Sequence, residues 1–406
     1  MISSLNLSGR FFNLLLISFV ISVLNLASAF AQSSNSNNGS QENLKIGLSG
    51  TFTIGGSSLH NEDIQILQAG GHDPNKNGFT VQNIELSISG TVDPWLDAQA
   101  NIIMLIDAEG ETVIELEEAF ITTRQLPAGL QIKAGQYYTE FGRRNQQHPH
   151  QWLFVDQPVI LSRLFGGDGL RSQGLRLSWL MPAPWYSELY FGIQNASGET
   201  VASFLGEPDQ DIGGHLLLER QARNFSDLLY SARWLNGLDV SDTVSLNLGI
   251  SALSGPNATG EKTETDILGM DIYLKWQPLN NQRGFPFVSW HTEYLKREYE
   301  ALDSFDPLHE ELEDKGFFSQ LTWGFSPGWT TGLRFEKADS NGNEPFDASR
   351  NDRDRLSLNF SWFPSEYSKV RLQYNRDNAD HLIDEPEHSV WLQFEFNLGS
   401  HMAHTF

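Results

Sequence analysis

The stretch SVWLQFEFNL, residues 389–398, decides the fold. Val390, Leu392, Phe394, Phe396 and Leu398 alternate with Ser389, Trp391, Gln393, Glu395 and Asn397. Successive side chains of an extended strand point to opposite faces. This segment therefore has one greasy face and one mostly polar face. In a soluble protein a second sheet would cover the greasy face. In a membrane barrel that face meets lipid, and the polar face lines a lumen.

The pattern recurs upstream. Leu356, Leu358, Phe360 and Trp362 alternate with Arg355, Ser357, Asn359 and Ser361. Leu268, Met270, Ile272, Leu274 and Trp276 alternate with Gly269, Asp271, Tyr273 and Lys275. The reading predicts sixteen strands, near 44–54, 80–92, 96–108, 112–124, 129–138, 170–180, 186–196, 226–236, 242–253, 265–277, 286–298, 315–325, 329–338, 353–363, 368–376 and 388–398. In 112–124 the glutamates Glu115, Glu117 and Glu118 break the alternation, which predicts a bulge. Links after even strands are short and rich in Pro and Gly, as at Asp93-Pro94 and Ser326-Pro327-Gly328. Links after odd strands are mostly long and polar, as at 55–79, 139–169, 197–225, 299–314, 339–352 and 377–387, with 107–111 the exception. This rhythm predicts an all-β transmembrane antiparallel up-and-down β-barrel of about 16 strands, with short periplasmic turns and long external loops.

The N-terminus fits export to the bacterial outer membrane. Arg10 precedes an apolar run at 11–26, and Ala29-Phe30-Ala31 forms a cleavage site, so 1–31 reads as a signal peptide. The Ser/Asn-rich segment 32–43 reads as a disordered periplasmic spacer, and 44–406 as the barrel. Cysteine is absent, as a closed barrel permits. A mean hydropathy of −0.34 does not count against membrane strands, which are apolar only at every second residue. With 51 Asp+Glu against 27 Lys+Arg, nucleic acid is excluded as a partner. No spacing of Ser, His and Asp suggests catalysis, so a non-enzyme is expected. Phe406 fits the terminal signal read by the barrel-assembly machinery.

Barrels of roughly 16–18 strands leave an aqueous channel, whereas ~22-stranded transporters carry a plug. Little chain precedes the first predicted strand, which favours passive diffusion of ions or small solutes. Loop 139–169 is the predicted constriction loop, with Arg143, Arg144, His148, His150, Asp156, Arg163 and Asp168 as candidate pore residues. Its basic members would favour anions. The charged lumen phase, from Lys45 to Glu395, is mixed in sign: opposed basic and acidic walls are one reading, and pairing across neighbouring strands is the favoured one.

The alternative is a receptor or metal-capturing barrel whose loops close the lumen. His60, His72, His309, His381 and His388 lie near carboxylates in predicted loops. Imidazole with carboxylate is zinc-compatible chemistry. A loop-bound zinc or calcium ion, or bridging to lipopolysaccharide and lipid, would follow; no cofactor is required. A homotrimer is compatible with the same alternation.

The runs GQYYTEFGRRNQQHPHQWLFVDQPV (135–159) and LFGGDGLRSQGLRLSWLMPAPWYSEL (164–189), with the ending FEFNLGSHMAHTF (394–406), carry a family resemblance. They resemble porin-like outer-membrane proteins often labelled zinc-regulated or TonB-dependent outer-membrane receptors. The resemblance implies an outer-membrane location and a link to zinc supply, and it carries over no site residues. Gly135-Gln136 and Phe141-Gly142 also resemble the phosphate-selective porins.

Overall fold

The computed structural model describes residues 44–108, 110–207, 210–302, 309–341, 347–382 and 386–399. The signal peptide, the spacer, His401, His404 and Phe406 lie outside them, as do Asp303, Asp306, Asp384 and Glu385.

Sixteen antiparallel strands close into a barrel. They are β1 (Lys45–Ser57), β2 (Gly78–Thr91), β3 (Leu96–Ile106), β4 (Thr112–Thr123), β5 (Leu130–Tyr138), β6 (Arg171–Leu180), β7 (Tyr186–Asn195) and β8 (Leu228–Ser241). There follow β9 (Val244–Pro256), β10 (Glu264–Trp276), β11 (Phe287–Leu302), β12 (His309–Ser326), β13 (Trp329–Ser340), β14 (Arg353–Ser365), β15 (Ser368–Ala379) and β16 (Glu387–Gly399). Each strand pairs with its sequence neighbour, and β1 closes the ring on β16 from Gly47↔Gly399 to Ser57↔Ser389. No edge is left unpaired, which lipid demands. No described helix is long and apolar enough to cross a membrane.

The alternation sorts as the sequence implies. Leu268, Met270, Leu358, Phe360, Leu372, Phe394 and Leu398 are exposed on the outer wall, while Asp271, Arg355, Ser357, Gln373 and Glu395 are buried inside. Trp391 departs from this rule of greasy-out and polar-in: it holds a polar-phase position and is fully buried. The bare backbone of Gly55 leaves its ring room, since a Cβ there would lie 2.4 Å from it.

Two differences concern the outer rim. Loop 299–314 is expected to be long, yet β11 and β12 continue through it to Leu302↔His309. The reason is that alternation persists: Tyr299, Ala301 and Leu312 are buried while Glu298 and Glu300 point out. The long loops are also not plain coil. The first external loop holds α1 (Asn61–Leu67), the third holds α2 (Val159–Phe165), and the fourth holds a small hairpin of Asp211–Ile212 with His215–Leu216.

The bulge is present in β4. Register shifts between Leu116↔Ile102 and Glu118↔Asn101, leaving Glu117 without a partner. Leu116 is exposed on the outer wall, while Glu117 and Glu118 are both buried inside. One extra residue thus places two neighbouring carboxylates on the lumen face. The side-chain amide of Gln136 donates to the Leu116 carbonyl and, at 3.3 Å, to that of Glu117. It replaces ladder bonds that the bulge removes.

Candidate functional site: a loop folded into the lumen

The third external loop leaves β5, turns at Gly142 (φ +56°), and crosses the lumen. Early in its course the amide of Gly142 donates to Ser251 Oγ of β9 at 3.1 Å. The amides of Arg143 and Arg144 donate to Glu293 Oε1 of β11 at 2.8 and 2.7 Å. Farther along, the carbonyl of Trp152 accepts from Arg371 of β15 at 2.6 Å, and that of Leu153 from Asn359 of β14 at 2.8 Å. Asp156 is the bolt. It pairs with Arg334 of β13 and, at 3.3 Å, with Arg355 of β14, and accepts from Gln373 and Asn375 of β15 at 3.0 and 2.7 Å. Burial opposes its charge, but the two guanidiniums and these donors hold it below the usual carboxylate range.

The first external loop folds in beside it. Arg355 donates to the Leu67 carbonyl at 3.0 Å, and Gly71 N donates to the Gly167 carbonyl at 2.8 Å. Asp73 accepts from the amides of Gln157 and Gly70 at 2.7 and 3.2 Å. Burial, and then the charge of Asp156, push the Asp73 carboxyl up to about 7.

On the β8–β13 side the loop packs against an apolar cluster. Phe141 and the α2 residues Ile160, Leu161, Leu164 and Phe165 pack with Val201, Phe204, Leu205 and Leu217 of the fourth loop. Leu229, Leu253, Ile267, Leu295 and Phe318 supply the wall. Phe141 and Phe165 meet edge to face, with centroids 5.2 Å apart at 81°. Gly269 makes room: a Cβ there would stand 2.5 Å from the Phe141 ring.

The opposite side is polar. A cavity of about 450 Å³ lies against β1–β3, lined by Lys45, Ser49, Glu85, Asn101, His148 and His150. It opens from the strand ends joined by short turns. Its lining includes a string of imidazoles and carboxylates. His150 Nδ1 lies 2.8 Å from Glu85 Oε2, and Glu85 Oε1 lies 3.5 Å from His148 Nδ1. His148 Nδ1 lies 2.7 Å from Glu117 Oε2, and His148 Nε2 3.0 Å from Glu118 Oε2. Beyond Glu117, His72 Nε2 stands 3.8 Å from Glu117 Oε1 and 3.7 Å from Asp168 Oδ1. Burial disfavours a charged His148 ring, but Glu85 and Glu117 outweigh it and raise the imidazole well above its usual value.

The local sequence explains the posture. Pro149 between the two histidines sets a 3₁₀ turn and leaves His148 extended (φ −65°, ψ 155°). Gln151 Oε1 accepts from the His148 amide at 3.2 Å. The two rings stack at 5.7 Å and 18°.

Of the constriction residues expected from sequence, His148 and His150 face the cavity, and Asp168 meets His72. Asp156 serves as the anchor. Arg144 is buried against the Trp152 ring at 4.2 Å, and burial together with Arg334 brings its guanidinium down to about 9. Arg143 lies over the Tyr273 ring at 3.9 Å. Arg163, on α2, donates to the Asn351 carbonyl at 2.6 Å. The titratable residues that line the cavity are Lys45, Glu85, His148 and His150, while Arg143, Arg144 and Arg163 make their contacts elsewhere.

Of the expected metal-binding histidines, His72 joins the cluster. His60 precedes α1 and is exposed, and His388 is exposed with its Nδ1 2.7 Å from Tyr374 Oη. His381 is half-buried, and burial lowers its imidazole. His309 begins β12, and its side chain lies outside what is described. Among the described residues, one group of three metal-capable side chains has its ligand atoms within 4.8 Å of one another: Glu85, Glu117 and His148. Glu117 was visible in the sequence only as a break in alternation.

Lumen charge is paired between neighbouring strands at Arg297–Asp314 and Arg355–Asp377, whereas Arg233 of β8 reaches past β9 to Asp271 of β10. Arg233 meets Asp271 at 2.7 Å, Arg297 meets Asp314 at 2.6 Å, and Arg355 meets Asp377 at 2.9 Å.

A closed barrel with a lipid-facing apolar wall and a loop folded inside defines an outer-membrane β-barrel protein of porin-like fold. The fold is similar to the outer membrane channel DcaP of Acinetobacter baumannii, with a TM-score of 0.56 and 11% identity over 89% of this chain and 99% of that one. It is also similar to the trimer form of OmpT, an outer membrane protein of Vibrio cholerae, with a TM-score of 0.54 and 7% identity over 88% of this chain and 100% of that one. The chain belongs to the same family as an uncharacterized protein of Aquifex aeolicus (strain VF5), 31% identical over 363 residues that cover 83% of this chain and 73% of the relative. No family model matches the chain.

Proposed function

We propose that this protein is a passive outer-membrane channel for small cations, with its route on the polar side of the third external loop. The observation that carries the reading is the cavity against β1–β3, whose lining includes Glu85, His148 and His150. Charged side chains around a pore set its ion preference; Glu85 lines the cavity with Lys45, and Glu117 and Glu118 stand directly behind His148, so carboxylates outnumber the lysine and favour cations. Carboxylate and imidazole together admit divalent metal ions, in keeping with the link to zinc supply implied by the sequence resemblance. The test is single-channel recording of the folded protein in planar bilayers across a salt gradient. A cation-selective reversal potential, moved toward zero by Glu85→Gln, is expected. Folded, heat-modifiable protein without conductance would overturn the reading.

The apolar side supports a second reading, a metal-capturing barrel whose loops close the lumen. It would give metal binding without current.

We also propose a homotrimer. Strands β5, β6 and β7 span 9, 10 and 10 residues, against 16 and 18 for β11 and β12. A low wall is suited to neighbouring subunits rather than to lipid. Cross-linking of the detergent-solubilised protein tests this, and a band at monomer mass only would exclude it.

A further inference from the structure

Around His148, each acidic neighbour has a distinct role. Its Nε2 faces Glu118 at 3.0 Å, the partner that orients a ligating imidazole in metal sites. Its Nδ1 faces Glu117 Oε2 at 2.7 Å and Glu85 Oε1 at 3.5 Å. His148 Nδ1 and Glu117 Oε2, on residues more than nine-tenths buried, have no hydrogen-bond partner other than each other, so a cation that displaced the ring proton would meet both. Beyond Glu117, His72 shows the same posture. Its Nδ1 lies 3.2 Å from the Gln82 carbonyl, while its buried Nε2 has no hydrogen-bond partner and points toward Glu117 and Asp168.

We infer that Glu85, Glu117 and His148 form a binding site for a borderline divalent transition-metal ion of the zinc class, set in the neck of the lumen. Zinc ligands lie about 2.0–2.2 Å from the ion, so in a tetrahedron they stand roughly 3.4 Å apart. The separations from His148 Nδ1 are 2.7 and 3.5 Å and all three ligand atoms lie within 4.8 Å of one another, so shifts of about 1–1.5 Å would meet that geometry. One imidazole with two carboxylates suits zinc better than calcium or magnesium, which prefer oxygen alone. Three protein ligands leave a fourth position for water, the arrangement of an exchangeable rather than a closed structural site. Because Glu85 and His148 line the cavity, that position has access from it. His72, on the far side of Glu117, offers the ion a next station outward, with Asp168 beside it.

The site stands on its own geometry, while its place on a transport route rests on the channel reading above. The test uses the full chain folded in detergent, titrated with CoCl2 and then ZnCl2. One Co2+ per chain is expected, with visible absorption of a low-coordinate site, displaced by Zn2+ and not by Ca2+. Glu117→Gln and His148→Asn should each weaken binding at least tenfold, while His388→Asn leaves it within twofold. Zinc-edge X-ray absorption of the wild-type protein should show imidazole in a nitrogen-oxygen shell, which needs no variant to fold.

Absence of saturable binding, binding unchanged in folded Glu117→Gln, or a shell without imidazole would each overturn the site. In bilayers, micromolar Zn2+ should reduce the wild-type current. Current without zinc binding would reject the site and keep the channel. Binding without current would do the reverse.

Discussion

The two sides of the lumen solve different problems with the same strand geometry. On the β8–β13 side, inward positions include Leu229, Leu253, Ile267, Leu295 and Phe318, which pack with α2, beside the closed pairs Arg233–Asp271 and Arg297–Asp314. On the β1–β5 side the inward positions include Ser49, Thr51, Glu85, Asn101, Glu117 and Glu118. An apolar contact gives stability without directionality. A polar contact gives selectivity and costs desolvation wherever a partner is missing. The difference teaches that the third loop is held by one side of the barrel so that it can present chemistry to the other.

The sharpest way to break this contrast is Leu164→Asp. Truncating such a fully buried residue costs about 2–5 kcal/mol, and an unpaired buried carboxylate adds to that. The loop should leave the apolar side, and single-channel conductance should rise several-fold while the barrel stays heat-modifiable.

Asp156→Asn comes next. It leaves Arg334 and Arg355 short of a buried counter-charge, a loss of about 3–5 kcal/mol. The loop should become cleavable by trypsin at Arg143, Arg144 or Arg163 in the intact barrel, where the parent resists.

A milder effect is set by pH. Asp73 titrates near 7 in the folded protein because of burial and Asp156, above its unfolded value of about 4. Its contribution to the contact between the first and third loops is therefore fully present below about pH 4 and lost as pH rises through about 7. Trypsin nicking of the third loop should be faster at pH 8.5 than at pH ~5.5 after correction for protease activity. Asp73→Asn should remove most of that dependence.

The smallest change is Arg143→Ala. It removes a guanidinium stacked on Tyr273 at 3.9 Å, a contact worth about 0.5–1 kcal/mol. Conductance should shift slightly and cation preference should persist. A switch to anion preference in the parent protein would restore the basic eyelet expected from sequence.

Much of the barrel was legible because alternation is a local property. Val390 to Leu398 shows its two faces within ten residues, and Pro and Gly mark where strands turn. The bulge was legible for the same reason, as Glu117 beside Glu118. The site was only half legible. His148, His150 and Glu85 could be placed, but the meeting of His72 with Glu117 and Asp168 depends on the first loop folding inward. No short-range pattern encodes that. The apolar side did leave a trace: Leu253, Ile267 and Leu295 occupy lumen-phase positions where polar residues are expected, and Gly269 adds a gap for Phe141. Apolar residues on the wrong phase mark where a loop will dock.

The bulge in β4 has one more consequence. Glu117 is an insertion in an otherwise continuous ladder, flanked by Leu116↔Ile102 and Glu118↔Asn101. Removing that single residue would let the two pairings join, with Leu116 still facing out and Glu118 still facing in. The barrel and the metal-capable cluster are therefore separable by the loss of one codon. A lineage could shed or acquire the site in a single genetic step without renegotiating the rest of the sheet.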